Sequence, residues 1–288
     1  MVGRQLAAHL SATGHEVLRV GRGGGSDVRW DPAARTIDAA AIEGVDAVVH
    51  LAGESIASGR WTTAAKRRIL ESRTTGTQLL CETVGALKRP PGVLVSASAI
   101  GFYGDRGDAA LDESSSGGDG FLADVCRQWE HATQPAQSAG IRVVHLRIGV
   151  VLTPLGGALA RMLTSFRAGV GGRLGSGAQF MSWISLDDLL GAIVHCIATP
   201  SLDGPVNATA PTPVTNAEFT RTLGGVLHRP ALLPVPAFAL RLLLGEMADE
   251  LLLCSARVLP RKLLASGFSF HHGELRTALA EILGRPAA

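Results

Sequence analysis

The sequence predicts an α/β protein built on a doubly wound parallel sheet, followed by a small, mainly helical C-terminal lobe. Three observations carry that expectation. Short apolar runs such as Asp-Ala-Val-Val-His-Leu at 46–51 alternate with longer stretches of helical periodicity, as strands covered on both faces by helices require. The 288 residues are 46% hydrophobic and 18% charged, enough for one large α/β domain or a nucleotide domain with a small companion, and too apolar for a disordered chain. After Pro154 the character changes: glycines cluster at 156–157, 169–172 and 175–177, and prolines gather between 200 and 236.

The elements follow in order. Val2, Leu6, Ala7 and Leu10 recur at helical spacing and stop at Thr13-Gly14, a turn signal. Residues 15–20 read as a strand, and Gly21-Arg22-Gly23-Gly24-Gly25 as the loop after it. A buried strand at 46–51, a long helix at 62–87 and a second buried strand at 92–97 come next. A helix over 120–138 should bend or end at Pro135, which lacks the amide a helix interior needs. Residues 141–152 read as a strand, and helices are expected at 186–198, 216–227, 237–253 and 273–283.

Charge and cysteines exclude several classes. With 27 basic and 25 acidic side chains the net charge is +2, which is no footprint of nucleic-acid or anionic-membrane binding. Cys81, Cys126, Cys196 and Cys254 stand far apart in apolar stretches, so buried thiols are expected and not a disulfide framework or zinc site. No apolar run approaches the ~18 residues of a membrane span, and Met-Val-Gly-Arg-Gln-Leu at the start is no signal peptide. A cytoplasmic protein is expected. The nine histidines show no metal spacing, His271-His272 being a lone pair, and no metal is expected.

Several segments carry a resemblance. Gly-His-Glu-Val-Leu-Arg-Val-Gly-Arg at 14–22, Val-Val-His-Leu-Ala-Gly-Glu at 48–54 and Ser-Arg-Thr-Thr-Gly-Thr-Gln-Leu-Leu at 72–80 are joined by Ser-Ala-Ser-Ala-Ile-Gly-Phe-Tyr-Gly at 96–104. Gly-Asp-Gly-Phe-Leu-Ala at 118–123, Gly-Ser-Gly-Ala-Gln-Phe-Met-Ser-Trp-Ile at 175–184 and Pro-Val-Asn-Ala-Thr-Ala-Pro at 205–211 complete the set. Over essentially its whole length the chain resembles the atypical, sugar-nucleotide epimerase-like group of extended short-chain dehydrogenases/reductases, the NAD-dependent epimerase/dehydratase family. That group carries a C-terminal helical module of unknown function. The resemblance implies a Rossmann-type NAD(P)-binding domain over 1–153, a substrate-side lobe over 154–288, and the helical module at 230–285. It also implies that the sheet's first strand is truncated, with about ten residues missing before Met1 and Gly3 left as the last glycine of the phosphate loop.

The resemblance then assigns residues. Gly21 and Arg22 end the second strand, where an arginine pairs with a 2′-phosphate and favours NADP over NAD. Leu51, Ala52 and Gly53 let a dinucleotide approach the backbone closely, with Glu54 near the ribose and Arg73 within reach of the phosphates. Ser96, Arg147 and Val151 are assigned to the cofactor side as well.

Catalytic groups are fewer. The superfamily's proton donor is a tyrosine with a lysine four residues on. The one tyrosine, Tyr103, has Gly107 in that place, and Lys66, Lys88 and Lys262 follow no tyrosine. In the matching segment the dyad positions fall on Phe121 or Leu122 and on Val125 or Cys126. Ser98 and Tyr103 remain as candidate catalytic hydroxyls, and Asp112, Glu113, Asp119 and Asp124 as candidate carboxyls that more often serve turns and caps. Where sugar-nucleotide enzymes carry a diphosphate-binding arginine stands Met181, between Phe180 and Trp183, an apolar wall suited to a hydrophobic small molecule. The expected function is an NADP-dependent oxidoreductase lacking the usual dyad. The alternatives are a non-catalytic NADP-binding sensor and a nucleotide-sugar epimerase or dehydratase. By analogy a homodimer through 62–87 and 120–134 is allowed for.

Overall fold

In the computed structural model, residues 1–57 and 59–285 are described. The apolar runs form a parallel four-stranded sheet in the order β11 (Gly204–Ala208), β7 (Arg142–Ile148), β5 (Val93–Ala99), β4 (Ala47–His50). Side chains alternate across it. Val95, Val144, Leu146 and Val206 face Leu189 and Ile193 of α6 (Leu186–Ala198) and Leu6 of α1 (Val2–Ala12). Leu94 and Val143 face Leu80 and Val84 of α2 (Thr63–Gly85) and Ala136 of α4 (Gln134–Ser138). Both faces are apolar, so the strands read as continuous hydrophobic runs. Truncating a leucine in such a core costs about 2–5 kcal/mol.

A second sheet holds β1 (Val20–Gly21), β2 (Val28–Asp31) and β3 (Thr36–Ile37), with β1 and β2 parallel. It does not pair with β4. The strand expected over 15–20 is reduced to Val20–Gly21: the Arg19 carbonyl still accepts from the amides of Asp27 (2.8 Å) and Val28 (3.1 Å), but residues 15–18 pair with no strand among the described residues. Leu18 and Val20 are each 40% exposed in consequence, and Ala47, Val48 and Val49 of β4 are only half-buried. The implied strand between the two sheets has no counterpart among the described residues.

Three expected elements are interrupted for local reasons. The helix over 120–138 is two helices, α3 (Phe121–His131) and α4, with Pro135 in the first turn of the second, where its missing amide costs nothing. The strand over 141–152 breaks at Gly149 into β7 and β8 (Val150–Leu152); a Cβ at Gly149 would lie 2.7 Å from the Ser182 carbonyl oxygen. The helix over 237–253 breaks at Gly245, whose φ of 63° is left-handed, into α8 (Ala237–Leu244), α9 (Glu246–Ala248) and a π-type turn at Asp249–Leu253.

The C-terminal lobe has its own core. Leu159 and Leu163 of α5 (Gly157–Arg167), Phe219 and Leu223 of α7 (Asn216–Leu227) and Leu275 and Leu279 of α11 (Leu275–Ile282) close around Trp183. Glu250 reaches back from this lobe to α3 and accepts hydrogen bonds from the amides of Phe121 (2.8 Å) and Leu122 (2.9 Å). These are first-turn amides with no intrahelical acceptor, and the carboxylate also sits at the favourable end of the helix dipole. No described helix is long and apolar enough to cross a membrane.

Candidate functional site

The carboxyl ends of β1 and β4 bring together most of the residues assigned to the cofactor. Leu51, Ala52 and Gly53 leave β4 directly, and Gly3 in the first turn of α1 lies against Leu51, whose Cδ1 would be 3.8 Å from a Cβ at Gly3. First-turn amides of α1 have no acceptor within the helix. Gly21 ends β1 against Ser26, and Arg22 follows it, exposed and in no ion pair among the described residues.

Arg73 rises from α2 into the space Gly53 leaves open: a Cβ there would lie 3.3 Å from the Arg73 Cζ. Its Nη1 donates to the Ile69 carbonyl (3.1 Å), and its guanidinium sits 5.0 Å from the centre of the Trp129 ring, a cation–π arrangement. Arg73 also has no ion pair among the described residues; burial disfavours its charge and lowers its pKa. Glu54 is occupied, with its carboxylate 3.3 Å from Arg68 Nε and its amide donating to Ser72 Oγ (3.1 Å).

One row across the sheet holds the other candidates. Ser98, Arg147 and Asn207 are register partners on β5, β7 and β11, on the face that α3 covers. Glu130 of α3 receives all the polar traffic: Ser98 Oγ donates to its Oε1 (2.7 Å), Arg147 Nε to Oε1 (2.8 Å) and Arg147 Nη2 to Oε2 (2.9 Å). The Tyr103 hydroxyl donates to Asn207 Oδ1 (2.7 Å) and accepts from Arg147 Nη1 (3.1 Å). Phe102 caps the guanidinium at 3.4 Å.

This geometry places three of the assigned residues inside the fold. Tyr103 is fully buried, its hydroxyl lies against two acceptors, Asn207 Oδ1 (2.7 Å) and the Asp112 carbonyl (3.0 Å), and burial pushes its pKa up in spite of Arg147. Ser98 is 3% exposed and tied to Glu130. Arg147 neutralises Glu130 inside the fold and has no fork left for a phosphate. Ser96 lies deeper, between its register partners His50 and His145, and its buried Oγ has no hydrogen-bond partner among the described residues.

The substrate-side residues separate. Trp183 belongs to the core, fully buried, with Nε1 donating to the Thr212 carbonyl (3.1 Å), which corrects its reading as a pocket wall. Phe180 and Met181 are half-buried in β9 (Phe180–Met181), paired with β12 (Val214–Thr215), and Arg257 lies 5.2 Å from the Phe180 ring centre. Val151 of β8 pairs with Ile184 and packs on the main core. The carboxyls do turn and cap work: Asp112 accepts from the Ser114 amide, Asp124 pairs with Arg127, and buried Glu113 accepts from the amides of Asn207 and Lys262. Cys254 is half-buried where a buried thiol was expected.

Two residues of the polar row were not singled out by sequence. Glu130 follows buried Cys126 by one helical turn, so helical spacing alone places it on the inner face. Asn207 lies in Pro-Val-Asn-Ala-Thr-Ala-Pro at 205–211, which carries the resemblance but is not read as a strand from sequence; in the structure Gly204–Ala208 form β11, where a lone buried amide needs a partner.

An open parallel sheet whose strand ends carry small residues and unpaired guanidiniums defines a nucleotide-binding α/β protein. Residues 1–208 match the NAD dependent epimerase/dehydratase family and residues 235–282 match a domain of unknown function (DUF1731); the chain belongs to that epimerase/dehydratase family. It is 46% identical to epimerase family protein Mb2239 of Mycobacterium bovis, across 99% of this chain and 95% of that protein. The human epimerase family protein SDR39U1 is 37% identical, across 98% and 96%. The crystal structure of human SDR39U1 (isoform 2) with NADPH superposes with a TM-score of 0.91 at 36% identity, covering 99% of this chain and 97% of that one. A nucleoside-diphosphate sugar epimerase from Corynebacterium glutamicum gives 0.82 at 38% identity, covering 99% of this chain and 56% of that one. The resemblance carried by the sequence motifs is thus a family relationship.

Proposed function

We propose that this protein binds NADP(H) and reduces a small molecule without a tyrosine–lysine proton donor. The observation that carries the reading is Arg22, exposed directly after β1 and without an ion pair among the described residues. A guanidinium there pairs with a 2′-phosphate, which a carboxylate would repel. The NADPH bound by the human relative supports the same choice.

The surrounding residues fit a dinucleotide. Gly53 keeps the β4 end open and Arg73 adds a second cation beside it. Gly3 lies at the N-terminus of α1, the end of a helix that favours anions. When bound, the reduced nicotinamide supplies a hydride. The protons of Ser98 and Tyr103 are committed to Glu130 and Asn207, so the accompanying proton comes from water. That suits a conjugated or quinone-like acceptor, which needs no acid held against it.

Fluorescence titration with NADPH and NADH tests the cofactor. NADPH should bind at least about tenfold more tightly, the worth of one charge-assisted pair, and Arg22→Ala should abolish that preference. Equal affinity for both, or binding of neither, overturns the reading. A second reading, an NADP-binding sensor without catalysis, is favoured by the same locked hydroxyls of Ser98 and Tyr103. Turnover of NADPH in the presence of a quinone separates the two.

A further inference from the structure

The chain segment at His271-His272 is built around Asp188 of α6. Asp188 Oδ1 accepts from the His271 amide (2.7 Å) and Oδ2 from the His272 amide (2.9 Å). Ser185 Oγ donates to Asp188 Oδ2 (2.9 Å) and lies 3.0 Å from His272 Nδ1. With the hydroxyl proton spent on Asp188, the His272 contact is an Nδ1–H donating to Ser185. That tautomer puts a bare lone pair on Nε2.

The lone pair meets an acceptor. His272 is 2% exposed, and its Nε2 has no hydrogen-bond partner among the described residues, although Glu281 Oε2 stands 3.3 Å away. The other oxygen, Glu281 Oε1, is 3.1 Å from His271 Nε2. A nitrogen lone pair and a carboxylate oxygen this close repel each other unless a positive charge lies between them. All three ligand atoms lie within 4.8 Å of one another. In a tetrahedral zinc site with ligand distances of 2.0–2.2 Å, neighbouring ligand atoms are about 3.4 Å apart.

We propose that His271 Nε2, His272 Nε2 and the Glu281 carboxylate form a three-ligand site for a divalent transition metal, with Zn²⁺ the best match. Two imidazoles and one carboxylate suit zinc and not the all-oxygen shells of magnesium or calcium. Ser185 and Asp188 fix the tautomer and orientation of His272, the part an outer shell plays in metal sites. His271 and Glu281 are exposed, which leaves an entry path and room for water as a fourth ligand. The ion would clasp α11 to the 271–272 segment and, through Asp188, to α6. Histidine spacing alone gives no metal site; the fold brings Glu281, ten residues on from His271, to the pair.

The test is calorimetric titration of the untagged protein with Zn²⁺ alone, compared with His271→Ala, Glu281→Gln and the double variant. Both residues are exposed, so these changes leave the core intact. One equivalent of Zn²⁺ should bind the parent protein, raise its unfolding temperature, and bind at least about tenfold more weakly to each single variant; Ser185→Ala should weaken it about 10–100-fold. Binding that is absent in the parent, or unchanged in the double variant, overturns the proposal. So does an NMR titration showing His272 doubly protonated with no response to Zn²⁺, since a proton then fills the gap.

Discussion

Glu130 grips Arg147 through both carboxylate oxygens, Nε to Oε1 at 2.8 Å and Nη2 to Oε2 at 2.9 Å, with side-chain exposures of 12% and 5%. The pair joins a helix to the middle of the sheet, and each partner's charge is tolerable in the interior only because of the other. Burial is the largest single influence and works against the guanidinium's charge, but the hydrogen bond and charge of Glu130, with Tyr103, together outweigh it and the Arg147 pKa moves upward.

Removing one side of this pair should therefore cost more than removing both. Glu130→Gln leaves a buried guanidinium without its counter-charge and should lower stability by about 3 kcal/mol. Replacing both, as Glu130→Leu with Arg147→Met, should recover a large part of that loss. Denaturant melts of the three proteins check it. A double variant less stable than the single one would contradict the reading.

Tyr103 is predicted to matter for the fold and not for the cofactor. Tyr103→Phe strands Asn207 Oδ1 and removes the acceptor of Arg147 Nη1, at about 1–3 kcal/mol. NADPH affinity and any NADPH turnover should stay within twofold of the parent, about the spread of such comparisons. A large loss of turnover with unchanged stability would return Tyr103 to the chemistry.

Acid should loosen the sheet before it denatures the protein. His50 is buried against Thr77, with Nε2 2.9 Å from Thr77 Oγ1, and burial lowers its pKa from 6.5 to about 4; His145 is lowered in the same direction. Between those values the unfolded chain binds the proton and the folded chain does not, so stability falls as pH falls from about 6.5 toward 4. His50→Gln should flatten that limb while costing stability at pH 7. A parent protein equally stable at pH 7 and pH 5 would refute it.

At Gly120 two constraints coincide. Its φ is 103°, and a Cβ would lie 2.5 Å from Glu250 Oε1. Gly120→Ala should therefore strain the backbone and dislodge the cap of α3, costing about 2–3 kcal/mol. Glu250→Gln keeps the shape but not the charge and should cost about 1 kcal/mol. If the two variants melt alike, the cap is not what Gly120 protects.

The main sheet and its covering helices were readable because they rest on local patterns: apolar runs at 46–51 and 92–97, and a proline at 135 that divides a helix. The strand read over 15–20 shortens because a strand is defined by its neighbours, and residues 15–18 pair with none among the described residues. Gly149 and Gly245 break their elements for reasons that lie elsewhere in the chain, such as the Ser182 carbonyl against Gly149. Of the site, Gly21, Arg22 and Gly53 are legible as residues at strand ends, and Arg73 through the segment at 72–80 that carries the resemblance. Ser98, Tyr103 and Arg147 carry the right chemistry, yet Glu130 and Asn207 absorb it, 32 residues from Ser98 and 104 from Tyr103. No short motif records such a pairing.

The cap on α3 sets a timetable. Phe121 and the carboxylate that receives its amide are 129 residues apart, so a ribosome adding about 5–20 residues per second makes the first residue of the helix roughly 6–26 s before its cap. Throughout that interval α3, with Glu130 on its inner side, is open at its leading end. A ribosome stalled in the C-terminal lobe before Glu250 would therefore hold α3 without its cap.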